Sequence, residues 1–110
     1  MNPNPHLAIL GAGPTGLEAA LAAHEARLPF TLYEAGHGVA AHLRQWGHVR
    51  LFSPWDLDVS PRARRALETI GAPAPLGSDC PTGKELADLV FQPLAESPRI
   101  APSLQLDTQV

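Results

Sequence analysis

The sequence predicts an α/β fold with a parallel sheet, and three observations carry that expectation. A short apolar run, "HLAILG", ends in glycine. A helix-periodic segment opens at Pro14, and an aromatic and β-branched run, "FTLYE", follows it directly. Strand, turn, helix and second strand make a βαβ unit, in which the two strands lie parallel.

Each element has its own warrant. Met1 to Pro5 is a polar lead with two prolines, expected to fray. "HLAILG" reads as a strand buried on both faces. Leu17, Leu21, His24 and Leu28 recur at helical intervals, which predicts a helix from Pro14 to Leu28 with His24 as a packing residue on its stripe. Pro14 suits a first turn, Pro29 stops the helix, and "FTLYE" has strand composition. Residues 6–36 therefore form the βαβ unit.

Residues 37–103 read as an insertion of loops and short helices, consistent with a high proline count of 12. Ser60 and Pro61 start a helix with Ala63, Ala66, Leu67 and Ile70 on one face and Gly71 as its stop. "TGKE", Thr82 to Glu85, is a capping box before a second short helix that bends or ends near Pro93. In residues 104–110, Leu104, Leu106 and Val110 alternate with Gln105, Asp107 and Gln109, which predicts a third strand. Placed beside the second strand, it gives the order 3-2-1, the first half of a doubly wound sheet.

Composition removes several function classes. A chain of 110 residues, 45% hydrophobic and 17% charged, makes one small globular domain. The net charge of -3 provides no field for nucleic acid or an anionic membrane, and Arg62, Arg64 and Arg65 read as a solvated helix face. Cys80 is the single cysteine, which leaves no internal disulfide or C-x-x-C pair. His6, His24, His37, His42 and His48 lack metal-binding spacing, so no metal is expected. With neither a signal-like start nor a membrane-length apolar run, the expected location is cytoplasmic.

The chemistry sits in the first turn. Gly11, Gly13 and Gly16 have G-x-G-x-x-G spacing, with Pro14 and Thr15 inside the motif and Glu34 23 positions after Gly11. Gly11 serves the tight turn, Gly13 lets a pyrophosphate approach the main chain, and Gly16 lets helix and strand pack closely. The helix N-terminus offers N–H groups to the anion. Glu34 can accept from ribose hydroxyls and disfavours a 2′-phosphate, so NADP is not the expected ligand here. The candidate cofactor residues are thus Gly11, Gly13, Pro14, Thr15, Gly16 and Glu34. These features alone leave FAD and NAD both open.

"GAGPTGLEAA" with "LYEAG" resembles the N-terminal FAD site of flavoproteins with two dinucleotide-binding domains, the group of flavin-containing monooxygenases and thioredoxin-reductase-like enzymes. "WGHVRLFSPW" and "PTGKELADLVFQPLA" are similar to bacterial FAD-dependent oxidoreductases of that group. The resemblance implies a Rossmann-like three-layer FAD/NAD(P)-binding fold, of which this chain is an incomplete N-terminal half. It also implies FAD as cofactor and NADPH or NADH as electron donor to a full-length oxidoreductase, a monooxygenase being one such enzyme. Two departures stand out: Arg27 lies near a position where the group commonly has glycine, and Ala40 and Ala41 replace a glycine pair.

Trp46, His48, Arg50, Phe52 and Trp55 form an aromatic and basic cluster that could line a flavin or substrate pocket, although packing of the loop onto the sheet is the favoured expectation. No catalytic residue is assigned. Two alternatives stay open. One is a truncated, non-catalytic nucleotide-binding module, partnered by a missing C-terminal part or by itself through an exposed sheet edge. The other is the half-site of an NAD-binding dehydrogenase.

Overall fold

In a computed structural model of the chain, which describes residues 5–110, three parallel strands form one sheet in the order β1-β2-β3. The polar lead falls, from Met1 to Asn4, outside the described residues. Strand β1 (Leu7–Leu10) pairs with β2 (Phe30–Tyr33) in the register Leu7↔Phe30 to Leu10↔Tyr33. Strand β3 (Leu104–Gln105) pairs with the far edge of β2 through Leu32↔Leu104 and Tyr33↔Gln105.

Helix α1 (Pro14–Glu25) joins β1 to β2 and packs on both. It buries Leu17, Ala20, Leu21 and Ala23 in the cluster that contains Phe30 and Leu32. His24 is exposed, and the stripe it was expected to join is completed by Ala20 and Ala23 instead. The helix stops three residues before Leu28. Arg27 adopts φ 57, its N–H bonds the carbonyl of His24, and the Leu28 N–H bonds the carbonyl of Ala23 at 2.9 Å. That pair of bonds is a Schellman ending, with arginine in the left-handed position that glycine usually fills.

The insertion contains more helix than its irregular sequence indicates. Helices α2 (Ala41–Gln45) and α3 (Trp55–Asp58) are each about one turn, too short to show a periodicity. Helix α4 (Pro61–Thr69) starts as expected: the Ala63 N–H donates to Ser60 Oγ at 3.0 Å. It ends at Gly71, φ 75, with the Ala72 N–H on the carbonyl of Leu67.

Helix α5 (Gly83–Leu86) opens on the full capping box, Thr82 and Glu85 each bonding the other's backbone N–H. The chain then widens into a π-helical turn (Ala87–Phe91), where the Gln92 N–H reaches the carbonyl of Ala87, and continues as α6 (Gln92–Glu96). Pro93 therefore does not end the helix. Its missing N–H and ring are accommodated by the wider turn that precedes it. Helix α4 packs on α1, and α6 packs on α4, extending the core through Leu67, Val90, Leu94 and Ile100.

Two strand expectations are corrected. The run in β1 is not buried on both faces: Leu7 and Ile9 pack against the core, whereas Ala8 is exposed and Leu10 is 62% exposed. Among the described residues β1 is an edge strand, and no helix lies over its second face. The alternation in residues 104–110 yields only a two-residue strand. Asp107 takes φ 53 and turns the chain, so that its N–H bonds the carbonyl of Gly36 and the Thr108 N–H bonds the carbonyl of Glu34, both at 2.9 Å. Alternating polarity cannot register a left-handed residue in the middle of a strand.

Among the described residues, no helix is long and apolar enough to cross a membrane.

Candidate functional site

A cleft of 340 Å³ opens at the carboxyl ends of the strands. That is where open α/β sheets hold their ligands, and the volume is within the usual range for small-molecule sites. Leu10 and Gly11 line it from β1, Tyr33 and Glu34 from β2, and Thr108 from the segment after β3. Gly13 and Pro14 form its floor at the start of α1.

The three glycines differ in what the fold asks of them. Gly11 has φ 95, a conformation that L side chains rarely adopt. A Cβ on Gly16 would overlap the carbonyl oxygen of Gly11 and touch Leu32, so close packing of α1 on the turn requires its absence. Gly13 is different: its φ is -86, and a Cβ there would meet nothing within 4 Å. The fold tolerates a side chain at Gly13; only an occupant of the cleft would exclude one.

The start of α1 is open to an anion as well. No side chain caps it, no acidic residue lies in its first turn, and Pro14 supplies the first helical position without a donor. The positive end of the helix dipole therefore meets the cleft without a counter-charge of its own. Of the six predicted site residues Gly11, Gly13, Pro14 and Glu34 line the cleft, Gly16 packs against Gly11, and Thr15 lines a neighbouring groove with Glu18 and Ser60.

Glu34 has a role that spacing alone did not disclose. Its Oε1 accepts from the Ala12 N–H at 2.7 Å and its Oε2 from the Gly36 N–H at 2.8 Å. The carboxylate thus ties the glycine turn to the loop after β2. Each oxygen keeps a further lone pair, so the group can still accept from a ribose hydroxyl in the cleft.

Ala40 and Ala41, at the positions of the replaced glycine pair, line the opposite wall. Ala40 adopts φ 58 and is 1% exposed, and its N–H bonds the carbonyl of Ala12 at 2.9 Å. A left-handed alanine is thereby held against the glycine turn, in a conformation that costs a non-glycine residue about 1 kcal/mol.

The aromatic and basic cluster divides. Trp55 is buried in the core, as packing requires, but Trp46 is half exposed and Phe52 fully exposed, so neither packs the loop onto the sheet. Arg50 donates to the Cys80 carbonyl at 2.5 Å and lies 4.0 Å from Glu85. None of these residues, nor His48, lines the cleft. His42 does, and His37, paired with Asp107, lines a separate groove that shares Ala41 with the cleft.

The surrounding charges are structural. Arg62 on α4 bonds Glu18 at 2.8 Å and Glu25 at 2.9 Å on α1, and its hydrogen bond holds the Glu25 carboxyl below the usual carboxylate range. Asp88 is lowered likewise by Lys84 and then Arg44. Glu85 is lowered chiefly by the Thr82 backbone N–H of the capping box.

No family model and no curated protein matches the sequence. Solved structures share the fold, and two of them illustrate the match. The FAD-bound form of OTEMO superposes with a TM-score of 0.70 at 18% identity, over 98% of this chain and 19% of that one. An oxidized steroid monooxygenase bound to NADP gives 0.69 at 20% identity, over 96% of this chain and 20% of that one. The chain spans about a fifth of the length of these neighbours, and at such identities the likeness is one of fold.

Proposed function

We propose that this chain forms the adenosine and pyrophosphate end of an FAD site within an FAD-dependent oxidoreductase, NAD(P)H-linked and of the monooxygenase kind, with its sheet as the first half of a Rossmann-like three-layer domain. The observation that carries the reading is Gly13. It lies in the cleft, at the uncapped start of α1, with no contact or dihedral of the fold requiring a glycine. A pyrophosphate passing over that backbone gives the missing side chain a physical reason.

In this reading Gly11, Gly13, Pro14, Thr15 and Gly16 present the helix N-terminus to the pyrophosphate, and Glu34 takes the ribose hydroxyls. Bound FAD supplies the redox chemistry, and this chain's part is to hold its adenosine end. The resemblance to two-dinucleotide flavoproteins and the FAD-bound and NADP-bound neighbours favour FAD over a dehydrogenase's NAD. The uncovered face of β1 and its free edge are where further polypeptide would pack, completing the third layer.

The test is titration of the chain with FAD, ADP and NAD, followed by fluorescence quenching or calorimetry, alongside the Gly13→Val variant. FAD and ADP are expected to bind and compete, with NAD weaker. Gly13→Val should abolish binding while changing stability by no more than about 1 kcal/mol. Absence of any nucleotide binding by the wild-type chain, or binding that survives Gly13→Val, defeats the reading.

A further inference from the structure

We propose that Asp107 is a positioning residue for Glu34, and that with His37 it sets how strongly the cleft selects a ribose over a deoxyribose. The inference rests on the reading of Glu34 as the ribose ligand. It goes beyond it by naming what holds that carboxylate in place.

The chain of contacts is short. The Glu34 Oε2 is held by the Gly36 N–H, and the same Gly36 presents its carbonyl to the Asp107 N–H at 2.9 Å. The Gly36 peptide groups are therefore gripped from both sides. The next residue, His37, bonds the Asp107 carboxylate through Nδ1. Behind them, the Glu34 main chain donates its N–H to the Gln105 carbonyl and accepts the Thr108 N–H, both at 2.9 Å. The Asp107 and Thr108 N–H groups reach the Gly36 and Glu34 carbonyls because the chain turns back at Asp107, in the left-handed region that aspartate and asparagine enter more readily than most residues.

The turn after β3 thus grips the loop after β2 at the Glu34 and Gly36 main chains and at the His37 side chain. The His37–Asp107 pair is exposed, so by itself it adds little to global stability. Its effect is local. Without it, the loop after β2 is held to the turn by main-chain bonds alone, and the Gly36 N–H becomes a less fixed donor to Glu34 Oε2. A carboxylate turned away from the cleft still permits pyrophosphate binding at α1 but no longer selects ribose hydroxyls.

The experiment compares ADP with 2′,3′-dideoxy-ADP, measured by calorimetry on the wild-type chain and on Asp107→Ala, Asp107→Asn, Asp107→Gly and His37→Ala. Wild type should prefer ADP by about tenfold, the loss expected when a charged acceptor misses its hydroxyl donors. Asp107→Ala and His37→Ala should bring that ratio close to one while leaving the dideoxy affinity within about twofold. Asp107→Asn, which keeps both the turn propensity and an acceptor for His37, should restore most of the preference. Asp107→Gly, which keeps the turn without the acceptor, should resemble Asp107→Ala.

A ratio unchanged by Asp107→Ala and His37→Ala overturns the proposal and leaves the FAD-site reading intact. So does an equal loss for both ligands, the mark of a purely structural residue. A wild-type chain that binds neither ligand, or binds both equally, removes the reading of the site and this inference together.

Discussion

The two ends of α1 are built on opposite terms. At its N-terminus the backbone demands of the turn are met by glycine, the first turn carries no acid, and no side chain caps the free donors. At its C-terminus a left-handed position is filled by Arg27, and an acidic residue, Glu25, sits against the negative end of the helix dipole. The first end is kept clear; the second is held by neighbours in spite of local preference. A helix that served packing alone would have no reason to treat its ends so differently. The α4 helix shows the ordinary case, with a serine cap at its start and Gly71 at its left-handed end.

The strongest way to break the comparison is at Gly16. Gly16→Ala should be destabilising by about 3 kcal/mol or more, because the new methyl meets backbone, which cannot give way as a flexible side chain can. The small gain in helix propensity does not offset that overlap. Chemical denaturation measures it. If Gly16→Ala is as mild as a substitution at Gly13, packing at the turn is looser than its geometry indicates, and the distinction between the two glycines fails.

A gain is expected at the other end. Arg27 has no side-chain hydrogen bond or ion pair among the described residues, so its left-handed conformation is uncompensated by its own side chain. Arg27→Gly should stabilise the chain by about 0.5–1 kcal/mol, the relief of strain being reduced by the greater freedom of glycine in the unfolded state. Gly71→Ala at the matching position of α4 should cost about 1 kcal/mol. Opposite signs in urea midpoints would sharpen the parallel between the two helix ends; a destabilising Arg27→Gly would end it.

What was legible in the sequence follows the range of the forces involved. The turn glycines, the Ser60 cap and the capping box at Thr82 are local patterns, and each forms as its residue types require. The left-handed Arg27, Ala40 and Asp107 are not legible, since none is glycine and each conformation is imposed by hydrogen bonds to its surroundings. The site shows the same division. Spacing singles out Gly11, Gly13 and Glu34, which line the cleft. The grip of Ala12 and Gly36 on the carboxylate comes from residues whose side chains carry no polar signal. The exposed face of β1 was missed because an apolar run does not reveal how many layers cover it.

The smallest expected effect concerns how Glu25 is tolerated at the end of α1. Arg62 bonds it and Glu18 together, and the hydrogen bond from Arg62 holds the Glu25 carboxyl below its ordinary value near 4.5. A carboxyl lowered in the folded state stabilises above its unfolded value, and that contribution fades as pH falls through the folded one. Arg62→Ala should therefore lower stability slightly at pH 7, with the difference from wild type shrinking as the pH drops below 4.5. Any part that persists at pH 3 belongs to the apolar stem of Arg62, whose packing does not titrate. Denaturation curves of both proteins at pH 7 and pH 3 separate the two. An equal difference at the two values would mean that charge does not hold this end, and that α1 keeps Glu25 through packing alone.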